Sequence, residues 1–338
     1  MSAGQQNMAA PDRLVWVDIL RGVTILLVVM NHVSLVDMST GANYEAVYRI
    51  ASLFGPLRMP LFMFVSGAML YKTRIARNFT ILSFYKDKFK RLFVPYAFFV
   101  VVYYVIHFLM TLLSGGEAQI SIQSIFDAYV IFKKGSPAFY LWFIVTLMDL
   151  MLLYPIFRWA CSNRYAQIVI LMVGVGIYFV PPDFFATRVF ALYKFPQYLV
   201  FFFLGMVCFE KKLHERLSDW RLGLVCFAGY VVSYYYGFGF LQRVLSIFVF
   251  VSLAINLSTW MPMLFGSFRE HSYQIYLMSL PCQWMVEIVL WKHIFYDERL
   301  FWLFYILSVL AGVYVPVFLS KLVMLSENKA IRMCFGVK

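Results

Sequence analysis

Residues 18–34 read DILRGVTILLVVMNHVS. An acid and a base stand three residues apart at the start of an apolar run, and an Asn-His pair stands at its end. A membrane-spanning helix needs about 20 mostly apolar residues, and this run with its flanks supplies them from roughly 14 to 36. It does not read as a secretory leader. It contains Asp18 and Arg21, Asp12 offsets Arg13 just before it, and no small-x-small cleavage site follows, so we expect a first span that is retained.

The same texture recurs along the chain. Of 338 residues, 62% are hydrophobic, 20% aromatic and only 14% charged, against about 25% charged in a soluble domain. That excludes a soluble globular enzyme, a nucleic-acid-binding arm and a disordered regulator. The net charge is +12, but Lys and Arg fall between apolar runs, as in a polytopic membrane protein, and nucleic acid is not an expected partner. Ten spans are predicted, roughly at 14–36, 50–71, 92–114, 139–159, 166–181, 193–209, 222–240, 243–261, 272–291 and 300–324. The expectation is an all-α bundle in the lipid bilayer, one domain over 1–338 with its helices within 14–324. With the N-terminus inside, loops on that side carry 19 Lys and Arg against 8 outside, which predicts both termini in the cytoplasm. The five cysteines lack a CxxC pair and read as small buried hydrophobes. The five histidines are scattered, and no metal site is expected.

Asp18, Arg21, His32, Arg58, His107, Asp149 and Glu287 fall inside predicted spans. Each mid-helix charge costs about 2.5–3.5 kcal/mol to insert, so each needs a partner, a wet cavity or an interface. His107 reads as a bundle histidine, and Asp149 and Glu287 read equally well as bundle-stabilising groups. Arg21 and His32 are eleven residues apart, which is three helical turns plus about 20°, so they share a face about 16 Å apart. Asp18 is placed to pair with Arg21. A cation near one end and an imidazole near the other suit an anionic cytosolic molecule with a base at its far end. An Asp-Arg pair beside an unrelated histidine fits the spacing equally well.

The stretch 18–34 resembles the first helix of the acyltransferase-3 family of integral membrane acyltransferases, whose mark there is Arg or Lys, ten residues, then His: here Arg21 and His32. Five more resemblances follow in order. LRMPLFMFVSGAMLY resembles the second-helix segment, with Arg58, Pro60, Phe62, Ser66 and Gly67. FYKDKFKRLFVPY resembles the basic segment before helix three, with Lys88 and Arg91 where the family often has Arg-x-x-Arg. YLWFIVTLMDLMLLYP resembles the helix-four segment around Trp142. FFFLGMVCF and SYQIYLM, the latter with Tyr276, resemble the sixth- and ninth-helix segments. Two positions depart. Lys88 keeps a charge but lacks the planar fork of arginine. Ser279 stands where a histidine often follows, which leaves His32 as the main base.

The resemblance implies transfer of an acyl group, usually acetyl, from acetyl-CoA or another acyl-CoA to a hydroxyl of a carbohydrate or lipid-linked glycan, with no permanently bound cofactor. It also implies a bacterial inner membrane. Lys88, Arg91 and Arg58 are the expected donor contacts, with Asp18, Arg21 and His32 in the catalytic set. Ser66, Trp142 and Tyr276 are expected to line the cavity, and Arg58 is also placed to stabilise a developing oxyanion or to neutralise Asp18. His32 suits the base role because an alcohol attacks a thioester poorly until its proton is removed, and imidazole accepts protons near neutral pH. Other readings are a transporter with buried charges, an acyltransferase for succinyl or longer chains, and an idle aromatic scaffold. Against a transporter, the charges gather on and near the first helix, and no matching pair of broken helices is legible.

Overall fold

The computed structural model describes residues 14–35, 42–113, 115, 121–132, 135–181, 184, 188–292, 294, 295 and 297–337. The predicted span ends at 36 and 114 lie outside these, as do Asp12, Arg13, Lys133, Lys134, Pro182, His293 and Lys338. Among the described residues the chain is helical throughout, with only an isolated bridge between Ile131 and Val189. The helices are α1 Val15–Asn31, α2 Ala42–Leu70, α3 Ile81–Leu113, α4 Ile122–Val130, α5 Trp142–Leu152, α6 Tyr154–Cys161, α7 Arg164–Tyr178, α8 Phe195–Glu210, α9 Trp220–Tyr235, α10 Gly239–Trp260, α11 Ser272–Trp284, α12 Phe301–Leu325 and α13 Lys329–Cys334.

By length and composition, five helical segments among the described residues are long and apolar enough to reach across a membrane: Asn43–Ile75, Ile81–Leu113, Leu192–Glu210, Gly239–Trp260 and Glu298–Leu325. The pair Pro137–Leu152 and Tyr154–Cys161, bent by 56°, makes a sixth if taken together. The remaining predicted spans fall on shorter helices, of which α1 has 17 residues, α7 15 and α9 16. Large apolar side chains stand exposed on many of these helices, including Leu82, Leu113, Met172, Val225 and Phe318. So much exposed apolar surface is what lipid, not water, accommodates.

Helices α2 and α3 start earlier than predicted, at Ala42 and Ile81, and two further boundaries change for a visible cause. The first helix ends at Asn31 and not near 36, because the His32 N–H turns back to the Val29 carbonyl at 3.1 Å. The expected span 139–159 breaks at Leu153, where Pro155 opens α6. Proline has no N–H and fits the first turn of a helix but not its interior. The carbonyl of Leu152, left at the break, accepts instead from the Tyr85 hydroxyl at 2.8 Å.

Helix α1 is an inner helix, packed by α2, α10, α11 and α12. Helices α2 and α8 cross backbone to backbone. A Cβ at Gly67 would lie 1.8 Å from the Phe202 carbonyl oxygen, and one at Gly205 2.0 Å from that of Phe64. Small residues at crossings are the usual route to close helix contact in lipid. Three π turns occur among the described residues: Met285–Lys292 after α11, and two that hold pairs of basic residues, Tyr71–Ile75 after α2 with Lys72 and Arg74, and Phe89–Phe93 within α3 with Lys90 and Arg91. The widened turn shifts side-chain register locally, a device often found at functional sites.

Candidate active site

The start of α1 comes near the basic stretch of α3, where Arg21 interacts electrostatically with Lys88. Arg21 pairs with Asp18 at 3.7 Å, one turn away. Arg74 and Arg91 share Asp87, at 2.5 and 2.8 Å. Lys88 lies among Arg21, Arg74, Asp87 and Arg91, close enough to interact electrostatically with each, and its ammonium sits 5.6 Å from the Phe84 ring centre. Four cations therefore face two carboxylates, Asp18 and Asp87. The excess positive charge, with arginine forks suited to phosphate oxygens, makes this end receptive to a phosphorylated anion.

His32 caps the far end of α1, about 16 Å along the axis from Arg21. Its ring meets Tyr140 edge-on, with centroids 5.1 Å apart. Tyr140 is fixed in turn, because its carbonyl accepts from the Tyr276 hydroxyl at 2.6 Å. Tyr276, Phe143 and Phe62 continue the aromatic wall through edge-on contacts of 5.4 and 4.9 Å. Arg58 acts electrostatically on both His32 and Tyr198. It also lines a small cavity with Leu27, Met30 and Asn31. Pro56 and Pro60 flank Arg58 in α2, so the helix around it lacks two backbone donors.

The structure thus brings Asp18, Arg21, Lys88 and Arg91 together, and sets His32, Arg58, Trp142 and Tyr276 at the other end. Arg58, expected among the donor contacts, stands with His32 and not with Lys88. Trp142 stacks on Tyr198 at 5.5 Å. The Ser66 hydroxyl donates to the Phe62 carbonyl of its own helix at 2.8 Å and lends no free proton to the wall. His107 meets Trp284 edge-on at 6.2 Å but is exposed on α3, so it stands on the outer face and not inside the bundle as expected. Asp149 keeps a buried carboxylate oxygen without a hydrogen-bond partner among the described residues.

One contact in the fold has no counterpart in the sequence motifs. Glu287, 0% exposed, accepts from the Ser34 N–H at 3.1 Å and from the Ser34 hydroxyl, and from the Ser308 hydroxyl at 2.5 Å. It anchors the turn that follows His32 to α12. Motif spacing gives no sign of this, because Ser34 and Glu287 are 253 residues apart. Among the described residues no group of three or more His, Cys, Asp or Glu is placed to hold a metal ion.

Comparison with known proteins adds one match. The family model of an acyltransferase domain covers residues 14–321. No curated protein and no solved structure matches the chain.

Proposed function

The chain belongs to the acyltransferase-3 family, and from that premise we propose that it moves an acetyl group from cytosolic acetyl-CoA to a hydroxyl of a carbohydrate or lipid-linked glycan. The observation that carries this reading is the two-ended α1, with a phosphate-receptive cluster at Arg21 and an imidazole against an aromatic wall at His32. Lys88, Arg91 and Arg21 hold the donor phosphates, and Asp18 orients Arg21. His32 takes the proton of the acceptor hydroxyl as the new C–O bond forms. The C–S bond then breaks, and His32 returns the proton to the departing thiolate. Arg58 is near enough to His32 to offset the negative charge that develops on the thioester oxygen.

The membrane arrangement belongs to the same proposal. Ten helical segments cross the bilayer, the shorter ones among them, with both termini and the Lys88 cluster on the cytoplasmic side. The 19-to-8 excess of inside Lys and Arg supports this orientation. The membrane is the bacterial inner membrane, and the acceptor meets His32 toward the outer side.

The test is thiol release by the purified protein in lipid, given acetyl-CoA and candidate glycans, with His32→Ala in parallel. Removing a general base costs about 10²–10⁴-fold in rate. We expect that loss in kcat, with acetyl-CoA still bound. Full activity in a correctly inserted His32→Ala protein would falsify the base assignment. Absence of acetyl-CoA binding to the wild type would overturn the donor.

A further inference from the structure

Beyond His32, on the side away from Arg21, stands a second group of cations that forms no ion pair with a carboxylate among the described residues. Lys194 holds its ammonium 5.2 Å from the Trp142 ring centre and 5.1 Å from that of Tyr193. The Arg243 guanidinium donates to the Tyr178 hydroxyl and lies 5.6 Å from the Tyr178 ring centre. Trp142 stacks on Tyr198, and Tyr178 packs edge-on to Phe201 at 5.9 Å. The group is continuous. Arg243 interacts electrostatically with Lys194 and Tyr198, Tyr198 with Arg58, and Arg188 with Tyr193. Among the described residues no ion pair joins Arg58, Arg188, Lys194 or Arg243 to a carboxylate. The contrast with the Arg21 end is plain, because Asp18 and Asp87 temper the charge there.

Like charges gathered with no ion-paired carboxylate among the described residues repel, and in a low-dielectric setting the repulsion is strong. Aromatic faces offset part of it. What remains is an unbalanced positive field beside the proposed transfer centre. Tyrosine hydroxyls add neutral donors and acceptors of the kind that read sugar hydroxyls. We propose that Lys194 and Arg243, with Tyr193 and Tyr198, form an acceptor site for a carbohydrate that carries a phosphate or a carboxylate. The inference rests on the acyl-transfer reading for the word acceptor, but not for the binding itself. The anion neutralises the cluster as it binds, and the attached sugar is held where Arg58 and His32 reach one hydroxyl. A neutral sugar leaves the cations unbalanced and binds less well.

The experiment measures binding to the full chain in neutral phosphatidylcholine nanodiscs. The probes are glucose 1-phosphate, glucuronate and glucose. No donor is present, so failure of the transfer reading does not touch the result. Acetyl-CoA binding, titrated separately, reports on that reading alone. We expect glucose 1-phosphate or glucuronate to bind at least tenfold more tightly than glucose. Lys194→Gln should erase the difference, Lys194→Arg should restore it, and acetyl-CoA binding should stay unchanged in both. Arg243→Lys keeps the charge and should retain the preference. Equal binding of all three probes, no binding of any, or a preference that survives Lys194→Gln would overturn the site. A further arm adds phosphatidylglycerol. If that lipid occupies the cluster and no anionic sugar displaces it, the cations serve the bilayer surface and the acceptor site is refuted.

Discussion

His32 is legible in the sequence, because eleven residues fix both rotation and rise on one helix. Glu287 is not, because its partners come from distant segments, and its carboxylate alone reads equally well as a bundle-stabilising group. Its contacts make the turn after His32 a held element. Glu287→Gln replaces one accepting oxygen with a donor, which then faces the donors of Ser34 or Ser308. We expect kcat to fall about tenfold, since small displacements of a reacting group are expensive in rate, while the KM for acetyl-CoA is unchanged. Steady-state kinetics at saturating acceptor check this. A purely structural role would lower the melting temperature and leave kcat per folded molecule intact. Glu287→Ala should do more, at about 1–3 kcal/mol for each buried donor left unpaired.

At the scale of the element, the apolar runs place the helices well and their ends poorly. Hydrophobicity marks where a helix is buried, whereas its end depends on partners from elsewhere. The break at Leu153 shows this. Pro155 is visible in the sequence, but the Tyr85 hydroxyl that completes the Leu152 carbonyl is not. The π turns are equally hidden, because no residue type demands one. The α2–α8 crossing yields a sharp expectation. Gly67→Ala puts a methyl group into the Phe202 carbonyl, so the helices must part. Overpacking costs about 1–3 kcal/mol and occasionally more. Thermal unfolding in detergent should show a clear drop in midpoint. Gly176→Ala, with nothing within 4 Å of the added Cβ, should show none. An unchanged midpoint for Gly67→Ala would mean that the two helices separate freely.

For the whole molecule, composition settles the solvent and the ordered motifs point to the family. The grouping of Arg58 with His32, and the cation cluster around Lys194, need the fold. Local spacing relates Arg21 to His32, but nothing local relates Arg58 on α2 to Tyr198 on α8.

On the proposed acyl-transfer reading, the helix between Arg21 and His32 is a rigid gauge for the donor's size. A thioester anchored by its phosphates at one end must reach the imidazole about 16 Å away. Donors are therefore sorted by the length of their tether before the acyl group is read. Acetyl-pantetheine carries the same thioester without the nucleotide and so cannot be anchored at the far mark. Its kcat/KM should fall at least a hundredfold below that of acetyl-CoA, about 2.7 kcal/mol, and the deficit should shrink in a protein whose Arg21, Lys88 and Arg91 are neutralised. Equal use of the two donors would mean that the gauge measures nothing.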